Sequence, residues 1–346
     1  MKVVVYRGPG KVAVEEQPDP SVESDTDAVV RITTSAVCGS DLHIYHGRLP
    51  NVPEGSVMGH EFIGVVESIG DKVEKFVPGQ RVVGAFGTSC GKCWYCTHQL
   101  PSQCVNGALF GFGNPGVGGC QGELLRVPFA DGTLEPVPDG LPDTEAIFIG
   151  DIFSTGFFAV ENGGVKPGDV VAVVGCGPVG LFAQMSAQLF GAAAIFGLDL
   201  VEERLKLAQE IGSIPVNVNE QDAVALIRAA TEGRGADVVC ECVGHESALR
   251  LAMRLFRPGG TVSVVGVYAE NNVEFPMGRA FMRDLTFKIG ICNVKNYMAR
   301  LTPLVVNKKV DLSRIVTHAM KLEEAPYAYE IFDQKRDNAV KILLAP

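Results

Sequence analysis

Four cysteines stand close together in one short stretch of the chain, and their spacing indicates a metal site. The pattern C-x2-C-x2-C-x7-C contains Cys90, Cys93, Cys96 and Cys104. Four thiolates at this spacing can surround one zinc ion in a closed tetrahedral shell, which is structural because catalysis needs an open position. An iron–sulfur cluster uses the same ligand atoms but other usual spacings. The remaining alternative is a surface loop with four reduced, metal-free cysteines.

A second group of candidate ligands lies outside this cluster. Cys38 belongs to the stretch CGSDLH, His60 to GHE, and Asp151 to GDIFSTG. One sulfur, one nitrogen and one oxygen, completed by water, form the ligand set of a catalytic zinc site. Taken singly, Cys38 could be a small core side chain, His60 a core histidine, and Asp151 the N-cap of a helix. Spacing alone does not establish that the three converge.

A glycine-rich turn after an apolar run indicates a dinucleotide site. The run at 170–174 is followed by G-x-G-x-x-G and then by an apolar-periodic segment, which predicts a buried strand, a turn and a helix. The first glycine makes the turn, the second admits a pyrophosphate, the third lets the helix pack on the strand, and the helix N-terminus favours phosphate. The cofactor residues expected here are Gly175, Gly177, Pro178, Val179 and Gly180. Since 40 of 346 residues are glycine, the motif alone is weak.

An acidic residue after the next strand strengthens this interpretation. Asp199 follows Gly175 by 24 residues, the distance at which a carboxylate accepts hydrogen bonds from the adenosine ribose of NAD. Its charge would oppose the 2′-phosphate of NADP, although Arg204, one helical turn further on, could compensate. We also assign Val243, Val265 and Val267 to the cofactor site.

The elements that must position these residues divide the chain in two. A length of 346 residues exceeds what one core usually supports, so we expect two domains. Short strands broken by Gly and Pro fill the first 150 residues, with strands predicted at 28–34, 62–69 and 81–86. From 155 to 290, strands at 170–174, 194–198, 236–242, 261–267 and 285–291 alternate with helices, which predicts a doubly wound parallel sheet. A Pro-Gly-Gly stretch at 258–260 precedes the strand at 261–267, and the tail contains two helical stretches and a last strand at 340–344.

Charge and composition exclude several classes of function. The net charge of −10 argues against nucleic acid or an anionic membrane as the main partner. No apolar run reaches transmembrane length, and the N-terminus meets Arg7 too early for a signal peptide. We therefore expect a cytoplasmic protein, in which ten cysteines suggest metal ligands rather than disulfides.

In this order and over essentially the whole chain, the motifs resemble those of zinc-dependent medium-chain alcohol dehydrogenases. With Asp151 as the third ligand, the chain looks most like bacterial and thermophilic members near the glutathione-independent formaldehyde dehydrogenase branch; polyol and threonine dehydrogenases typically carry Glu there. The resemblance implies a mostly-β, GroES-like catalytic domain at 1–154 with 292–346, a Rossmann domain at 155–291, and an active site in the cleft between them. It also implies a homo-oligomer, a tetramer being favoured and a dimer the alternative.

The resemblance further implies the composition of the catalytic metal site. Cys38, His60 and Asp151 would bind the catalytic zinc, the second of two zinc ions per chain. Glu61 would neighbour it and could replace the bound water as a ligand. Ser40 would lie beside the alcohol oxygen. As a Lewis acid, zinc lowers the pKa of an alcohol.

Other positions receive roles from the same resemblance. His43 would relay the alcohol proton outward, and Thr155 would position the nicotinamide. Leu49 and Phe86 match substrate-pocket positions. Lys341 falls where relatives carry a basic residue near the pyrophosphate, the alternative being a solvated lysine on the last strand.

The implied function is reversible oxidation of an alcohol to an aldehyde or ketone, with hydride transfer to NAD. Within the same family, a formaldehyde dehydrogenase, an aldehyde dismutase that keeps its nicotinamide bound, and a polyol dehydrogenase are the alternatives. A different class of function is a non-enzymatic binding protein that has kept the fold, because a fold does not by itself fix an activity.

Overall fold

Two compact units make up the chain in the computed structural model, which describes residues 1–49, 51–270 and 272–346. The first unit combines Met1–Ser154 with Asn293–Pro346, and the second is Thr155–Cys292. Helix α5, Ile152–Gly163, begins in the first unit and continues into the second. No helix among the described residues has both the length and the apolar composition needed to cross a bilayer.

The first unit is built mainly from strands. They are β1 (Lys2–Tyr6), β2 (Val12–Glu16), β3 (Ala28–Val37), β4 (Phe62–Ile69), β5 (Arg81–Gly84), β6 (Leu124–Val127), β7 (Leu134–Pro136), β14 (His318–Lys321) and β15 (Ile342–Ala345). The larger sheet has the order β14-β15-β3-β4-β5-β7, with β6 also paired to β3, while β1 and β2 pair separately. All neighbours are antiparallel except β14 and β15, which are parallel.

Three strand ends of this sheet bring the candidate residues together. Strand β3 ends immediately before Cys38, and β4 begins immediately after Glu61. The last strand, β15, runs antiparallel to β3 with Ile342 opposite Val37, so that Lys341 arrives beside the same strand end. Residues separated by most of the chain therefore meet at one end of the strands of the larger sheet.

The second unit is a six-stranded sheet with the order β10-β9-β8-β11-β12-β13. Its strands are β8 (Val170–Val174), β9 (Ala194–Asp199), β10 (Ile214–Asn217), β11 (Ala236–Glu241), β12 (Phe256–Val264) and β13 (Thr286–Ile289). Every pair is parallel, and β8 is buried along its whole length, as an apolar run predicts. The strand order reverses at β8, and ligands bind at such a point in doubly wound sheets.

Helices cover these sheets and connect the strands. In the first unit they are α1 (Asp41–Tyr45), α2 (Trp94–Thr97), α3 (Ala130–Thr133), α4 (Asp143–Ala146), α11 (Val294–Val306) and α12 (Ala325–Gln334). In the second unit they are α6 (Pro178–Leu189), α7 (Glu202–Glu210), α8 (Ala223–Ala229), α9 (Glu246–Leu255) and α10 (Met277–Met282). Short 3-10 turns lie at Pro101–Gln103, Ile147–Gly150, Leu312–Ile315 and Leu322–Glu324.

The predicted strands differ from the structure mainly at their ends. The predicted start of the strand at 261 is wrong, because β12 already begins at Phe256 and the Pro-Gly-Gly stretch forms an irregularity within it. The pairing with β11 shifts there, from Ala236 opposite Phe256 to Val238 opposite Thr261, and Gly259 has a φ of +68°. The short strands β1, β2, β6, β7, β10 and β14 were not predicted.

Candidate metal and cofactor sites

Four potential metal ligands of the first unit converge at one buried point. The donor atoms of Cys38, His60, Glu61 and Asp151 all lie within 4.8 Å of one another. Nε2 of His60 lies 3.2 Å from Oδ2 of Asp151. Nitrogen and oxygen ligands of a tetrahedral zinc, each about 2.0–2.1 Å from the ion, are separated by about 3.3 Å. The donor set therefore fits zinc in both chemistry and spacing.

Asp41, the first residue of α1, orients two of these ligands. Its Oδ2 accepts a hydrogen bond of 2.9 Å from the backbone N–H of Cys38, and its Oδ1 lies 3.1 Å from Nδ1 of His60. A carboxylate behind a histidine fixes the ring so that the other nitrogen faces the metal. Sequence reasoning placed Asp41 inside the CGSDLH motif but gave it no role.

A buried ion pair lies beside the cluster. Nζ of Lys341 is 2.6 Å from Oε1 of Glu61, neither side chain is exposed, and Nζ also donates to the carbonyl of Val37 at 3.0 Å. The alternative of a solvated lysine is therefore wrong. The pyrophosphate role predicted for Lys341 stays a prediction, and in this structure the ammonium is fully buried with a carboxylate and a carbonyl as partners.

Burial and the neighbouring charges have opposite effects on the pKa values of several of these groups. Burial raises the pKa of Cys38 and of Glu61, although the ammonium of Lys341 opposes the rise at Glu61. Burial would lower the pKa of His60 and of Lys341, but the neighbouring anions outweigh it and raise both. The pocket is thus rich in acidic groups that need positive charge, which a bound dication supplies.

The predicted proton-transfer residues lie on or beside α1. The Ser40 hydroxyl donates to Sγ of Cys38 at 3.4 Å and lies 3.1 Å from Nε2 of His60. His43 follows within α1 and is half-buried. Ser40 therefore borders the point where the ligand atoms meet, where an alcohol oxygen would also have to bind.

The predicted substrate residues have different relations to this point. The backbone N–H of Phe86 donates to the carbonyl of Gly150 at 3.1 Å, which holds Phe86 beside the segment that carries Asp151. Leu49 packs on the hydrophobic cluster that contains residues of α1 and α12. Phe112, which sequence reasoning missed, has its ring centroid 5.6 Å from that of His60. Its glycine-rich surroundings offered no pattern from which the contact could be predicted.

The four cysteines of the second metal motif also come together. Their Sγ atoms lie within 4.8 Å of one another, with 3.5 Å between Cys93 and Cys96 and 3.8 Å between Cys93 and Cys104. Four sulfurs about 2.3 Å from a tetrahedral zinc are about 3.8 Å apart. Partial burial would raise the pKa of Cys90, but backbone N–H groups and Asn106 lower it to about 6, whereas burial and the neighbouring thiols raise the pKa of Cys96 to about 12.

The glycine turn of the second unit has the geometry that its sequence requires. Gly175 has a φ of +94°, and a Cβ on Gly180 would lie 1.8 Å from the Gly175 carbonyl oxygen. A Cβ on Gly177 would meet nothing closer than 3.8 Å, so the space above this residue is open. Pro178 is the first residue of α6, and Val179 follows it.

Asp199 lies at the end of β9, next to this turn. It accepts hydrogen bonds from three backbone N–H groups, at 2.7 Å from Cys176, 2.7 Å from Leu200 and 3.0 Å from Val201. Nη1 of Arg204 is 3.9 Å from Oδ2 of Asp199. These contacts tie the acid to the glycine turn and leave Oδ2, which accepts a hydrogen bond from Cys176 alone, with capacity for a further donor.

Glu241, which sequence reasoning missed, organises the remaining predicted cofactor residues. This buried carboxylate accepts from the N–H groups of Val243 and Gly244 at 2.8 and 2.9 Å, and from the Tyr268 hydroxyl at 3.2 Å. The backbone carbonyl oxygen of Glu241 accepts a hydrogen bond from the N–H of Val265 at 3.0 Å. Val243 and Val267 are half-exposed at the carboxyl ends of β11 and β12.

Comparison with known proteins adds an independent line of support. Residues 24–139 match the alcohol dehydrogenase GroES-like domain, and residues 178–307 match the zinc-binding dehydrogenase family. Over the full length of both chains, the protein is 38% identical to an uncharacterised zinc-type alcohol dehydrogenase-like protein, AdhB, of Bacillus subtilis. The chain belongs to the zinc-dependent medium-chain alcohol dehydrogenases. It is therefore an oxidoreductase, and the predicted family and two-domain fold are confirmed.

Individual members of the family differ in how similar they are to this chain. The alcohol dehydrogenase TADH from Thermus sp. ATN1 superposes with a TM-score of 0.95 at 42% identity, covering 100% of this chain and 99% of that one. The sorbitol dehydrogenase of Bacillus subtilis is 31% identical over 100% of this chain and 97% of its own length. The predicted affinity to the formaldehyde dehydrogenase branch stays a prediction.

Proposed function

We propose that this chain oxidises alcohols reversibly to aldehydes or ketones with NAD as the hydride acceptor. The observation that carries this proposal is the buried cluster of Cys38, His60 and Asp151, with the Ser40 hydroxyl 3.1 Å from Nε2 of His60. A metal-ligand set with a hydroxyl at its border suits the binding and deprotonation of an alcohol. Membership in the alcohol dehydrogenase family supports the same activity.

In this proposal the first unit contributes a catalytic zinc site. Cys38, His60 and Asp151 hold the ion, which supplies Lewis acidity when bound. Ser40 accepts the proton of the alcohol, and His43, on the adjoining helix, passes it outward. Glu61, which is paired with Lys341 in this structure, would be a further carboxylate ligand available to the ion. The lobe of Cys90, Cys93, Cys96 and Cys104 holds a second, structural zinc.

The role of Asp151 can be separated from that of an N-cap. The residue stands immediately before α5, where a capping side chain is also common. Asp151→Asn keeps much of a cap but removes the ligand charge. We expect the variant to lose activity and bind about one zinc fewer per chain while keeping its fold. Activity within about twofold of the parent at full metal loading would remove Asp151 from the ligand set.

For the cofactor, we propose NAD in preference to NADP. The carboxylate of Asp199 is fixed by three amides, so it cannot easily turn away from a 2′-phosphate, and like charges repel strongly at short range. The positive charge of Arg204, whose Nη1 lies 3.9 Å from Oδ2 of Asp199, reduces this repulsion. Asp199→Ser should lower the ratio of kcat/KM with NAD to kcat/KM with NADP about tenfold or more, and a parental preference for NADP would contradict the proposal.

The reaction is tested with a panel of alcohols and aldehydes, both nicotinamides and metal-analysed protein. Release of NADH into solution distinguishes an alcohol dehydrogenase from an aldehyde dismutase that keeps its cofactor bound. Faster turnover of sorbitol than of simple primary and secondary alcohols would favour the polyol alternative. Complete inactivity with intact metal would favour a binding protein of the same fold.

We further propose that the protein is a homo-oligomer, with a tetramer favoured over a dimer. Strand β13 is the last strand of its sheet, and the neighbouring α10 exposes Met277, Phe281 and Met282, with Phe281 82% exposed. A run of large exposed apolar residues beside an edge strand favours association. Light scattering after size exclusion should give a mass that is a multiple of 36.9 kDa, and Phe281→Glu should lower that mass.

Because four thiols serve as metal ligands in this proposal, we propose a reducing, cytoplasmic location.

A further inference from the structure

A line of buried polar contacts runs from the C-terminal helix to a proposed zinc ligand. The hydroxyl of Tyr329, on α12, donates to Oε1 of Gln121 at 2.9 Å. Nε2 of the same amide donates to Oδ2 of Asp41 at 3.4 Å, and Oδ1 of Asp41 lies 3.1 Å from Nδ1 of His60. None of these four side chains is more than 4% exposed. The line therefore lies entirely within the interior of the first unit.

The orientation of the Gln121 amide follows from its partners. Nε2 also donates to the backbone carbonyl of Ala36 at 3.0 Å. A carbonyl and a carboxylate can only accept, so the NH2 group must face Ala36 and Asp41. The amide oxygen then faces Tyr329, whose hydroxyl must be the donor. The Tyr329 hydroxyl and the acceptors at Ala36 and Asp41 thus allow only one orientation of the Gln121 amide.

Gln121 is also held against the backbone that carries His60. Its N–H donates to the carbonyl of Met58 at 2.9 Å, and its carbonyl accepts from Val4 at 2.8 Å. A Cβ on Gly59, which has a φ of +89°, would lie 2.4 Å from Cγ of Gln121. The glutamine therefore contacts both the residue before His60 and the carboxylate behind its ring.

We propose that Gln121 and Tyr329 are positioning residues for the catalytic metal. The Cys38 N–H and the Gln121 amide both donate hydrogen bonds to Oδ2 of Asp41, which leaves Oδ1 facing His60. The imidazole then carries its proton on Nδ1 and presents the Nε2 lone pair to the metal. This inference rests on the zinc site of the proposed function and extends its support to a helix more than 200 residues away along the chain, since Tyr329 and Gln121 are separated by 208 positions.

The inference is tested on the full-length protein with Tyr329→Phe and Gln121→Met. Tyr327→Phe is the matched control, since its hydroxyl lies on the same helix but donates to Asp337 at 2.8 Å on the surface. Asp41→Asn is the reference for direct loss of the carboxylate behind His60. Zinc affinity is measured by chelator competition, and the ligand geometry by the visible absorption of cobalt-substituted protein. The four-cysteine lobe is untouched in every variant, so its absorption cancels in difference spectra.

Loss of a partner behind a metal ligand typically costs about 10–100-fold in affinity. We expect such a loss in Asp41→Asn, a loss of about tenfold in Gln121→Met, and one of several-fold in Tyr329→Phe, each with a changed cobalt spectrum. Tyr327→Phe should match the parent. A purely structural role would lower the thermal stability of Gln121→Met and Tyr329→Phe but leave the cobalt spectrum and zinc affinity at parental values.

The possible outcomes are distinguishable. Parental affinity and spectra in both variants, together with a clear effect of Asp41→Asn, would overturn this inference but leave the proposed zinc site intact. A parent protein that binds only the zinc of the four-cysteine lobe would instead contradict the proposed function. If Gln121→Met does not fold, Tyr329→Phe decides alone, because it removes a single oxygen and keeps the ring.

Discussion

Removing the ammonium of Lys341 should destabilise the protein more than removing any exposed lysine, and zinc should reduce the loss. The pair of Lys341 and Glu61 has a separation of 2.6 Å, and both side chains are fully buried. Lys341→Met keeps most of the apolar stem but leaves the carboxylate without a counter-charge. Breaking one side of a buried pair costs about 3–5 kcal/mol.

For a unit of roughly 200 residues, this free energy corresponds to a fall of about 6–20 °C in the unfolding midpoint. Lys2→Met is the matched control. Lys2 is also 2.6 Å from its partner, Glu323, but the two side chains are 46% and 50% exposed. Water screens such a pair, and we expect a change of no more than about 1 kcal/mol.

Zinc separates this prediction from a simple packing effect. The donor atom of Glu61 lies within 4.8 Å of the other three ligands, so a bound dication offers the carboxylate an alternative partner. The destabilisation by Lys341→Met should therefore be smaller in zinc-loaded than in chelator-treated protein. The double variant with Glu61→Gln should recover much of the loss. Strictly additive effects in the double variant, or the same loss with and without zinc, would refute the reasoning.

Three further predictions concern other parts of the chain. Gly180→Ala should raise the KM for NAD and lower the unfolding midpoint, since its Cβ would lie 1.8 Å from a carbonyl oxygen of the glycine turn; unchanged kinetics and stability would contradict that packing. Cys96→Ala should remove about one zinc per chain, measured by mass spectrometry of metals, and destabilise the protein. Burial raises the pKa of Glu241, so the folded state holds this proton more tightly than the unfolded state. The resulting stabilisation is complete below the ordinary pKa of glutamate and disappears as pH rises through the raised value. The unfolding midpoint of Glu241→Gln should therefore increase relative to that of the parent as pH rises. A difference between the two midpoints that does not change with pH would exclude this linkage.

The sequence was most informative where a motif is local. The four cysteines lie within one short segment of the chain, and the glycine turn connects one strand to the next helix, so residue spacing alone predicts their chemistry. The strand at 62–69 and that at 170–174 were predicted with the bounds that the structure has. The ends of β12 were missed, because a Pro-Gly-Gly stretch usually terminates a strand but here forms an irregularity within one.

Contacts that depend on strand register could not be predicted in this way. Lys341 and Glu61 are 280 residues apart, and they meet because β15 pairs with β3 in one particular register. A shift of one residue would turn Lys341 to the other face of the sheet. Gln121 gave no signal either, since a lone glutamine in a glycine-rich stretch has no spacing that indicates a role.

The charges around the proposed zinc explain why the site needs such distant residues. The thiolate of Cys38 and the carboxylate of Asp151 neutralise a dication, and Glu61 is neutralised by Lys341. Asp41 is then the one carboxylate of the group without a full counter-charge, and it is not exposed at all. Burying a carboxylate of this kind costs free energy, which polar donors to its oxygens offset. The backbone N–H of Cys38 and the amide of Gln121 donate to Oδ2, and Nδ1 of His60 lies 3.1 Å from Oδ1, so the Gln121 amide stabilises a charge that faces a zinc ligand. Substitutions along this line should therefore change metal binding and stability together, whereas those at Lys341 should change stability chiefly when the metal is absent.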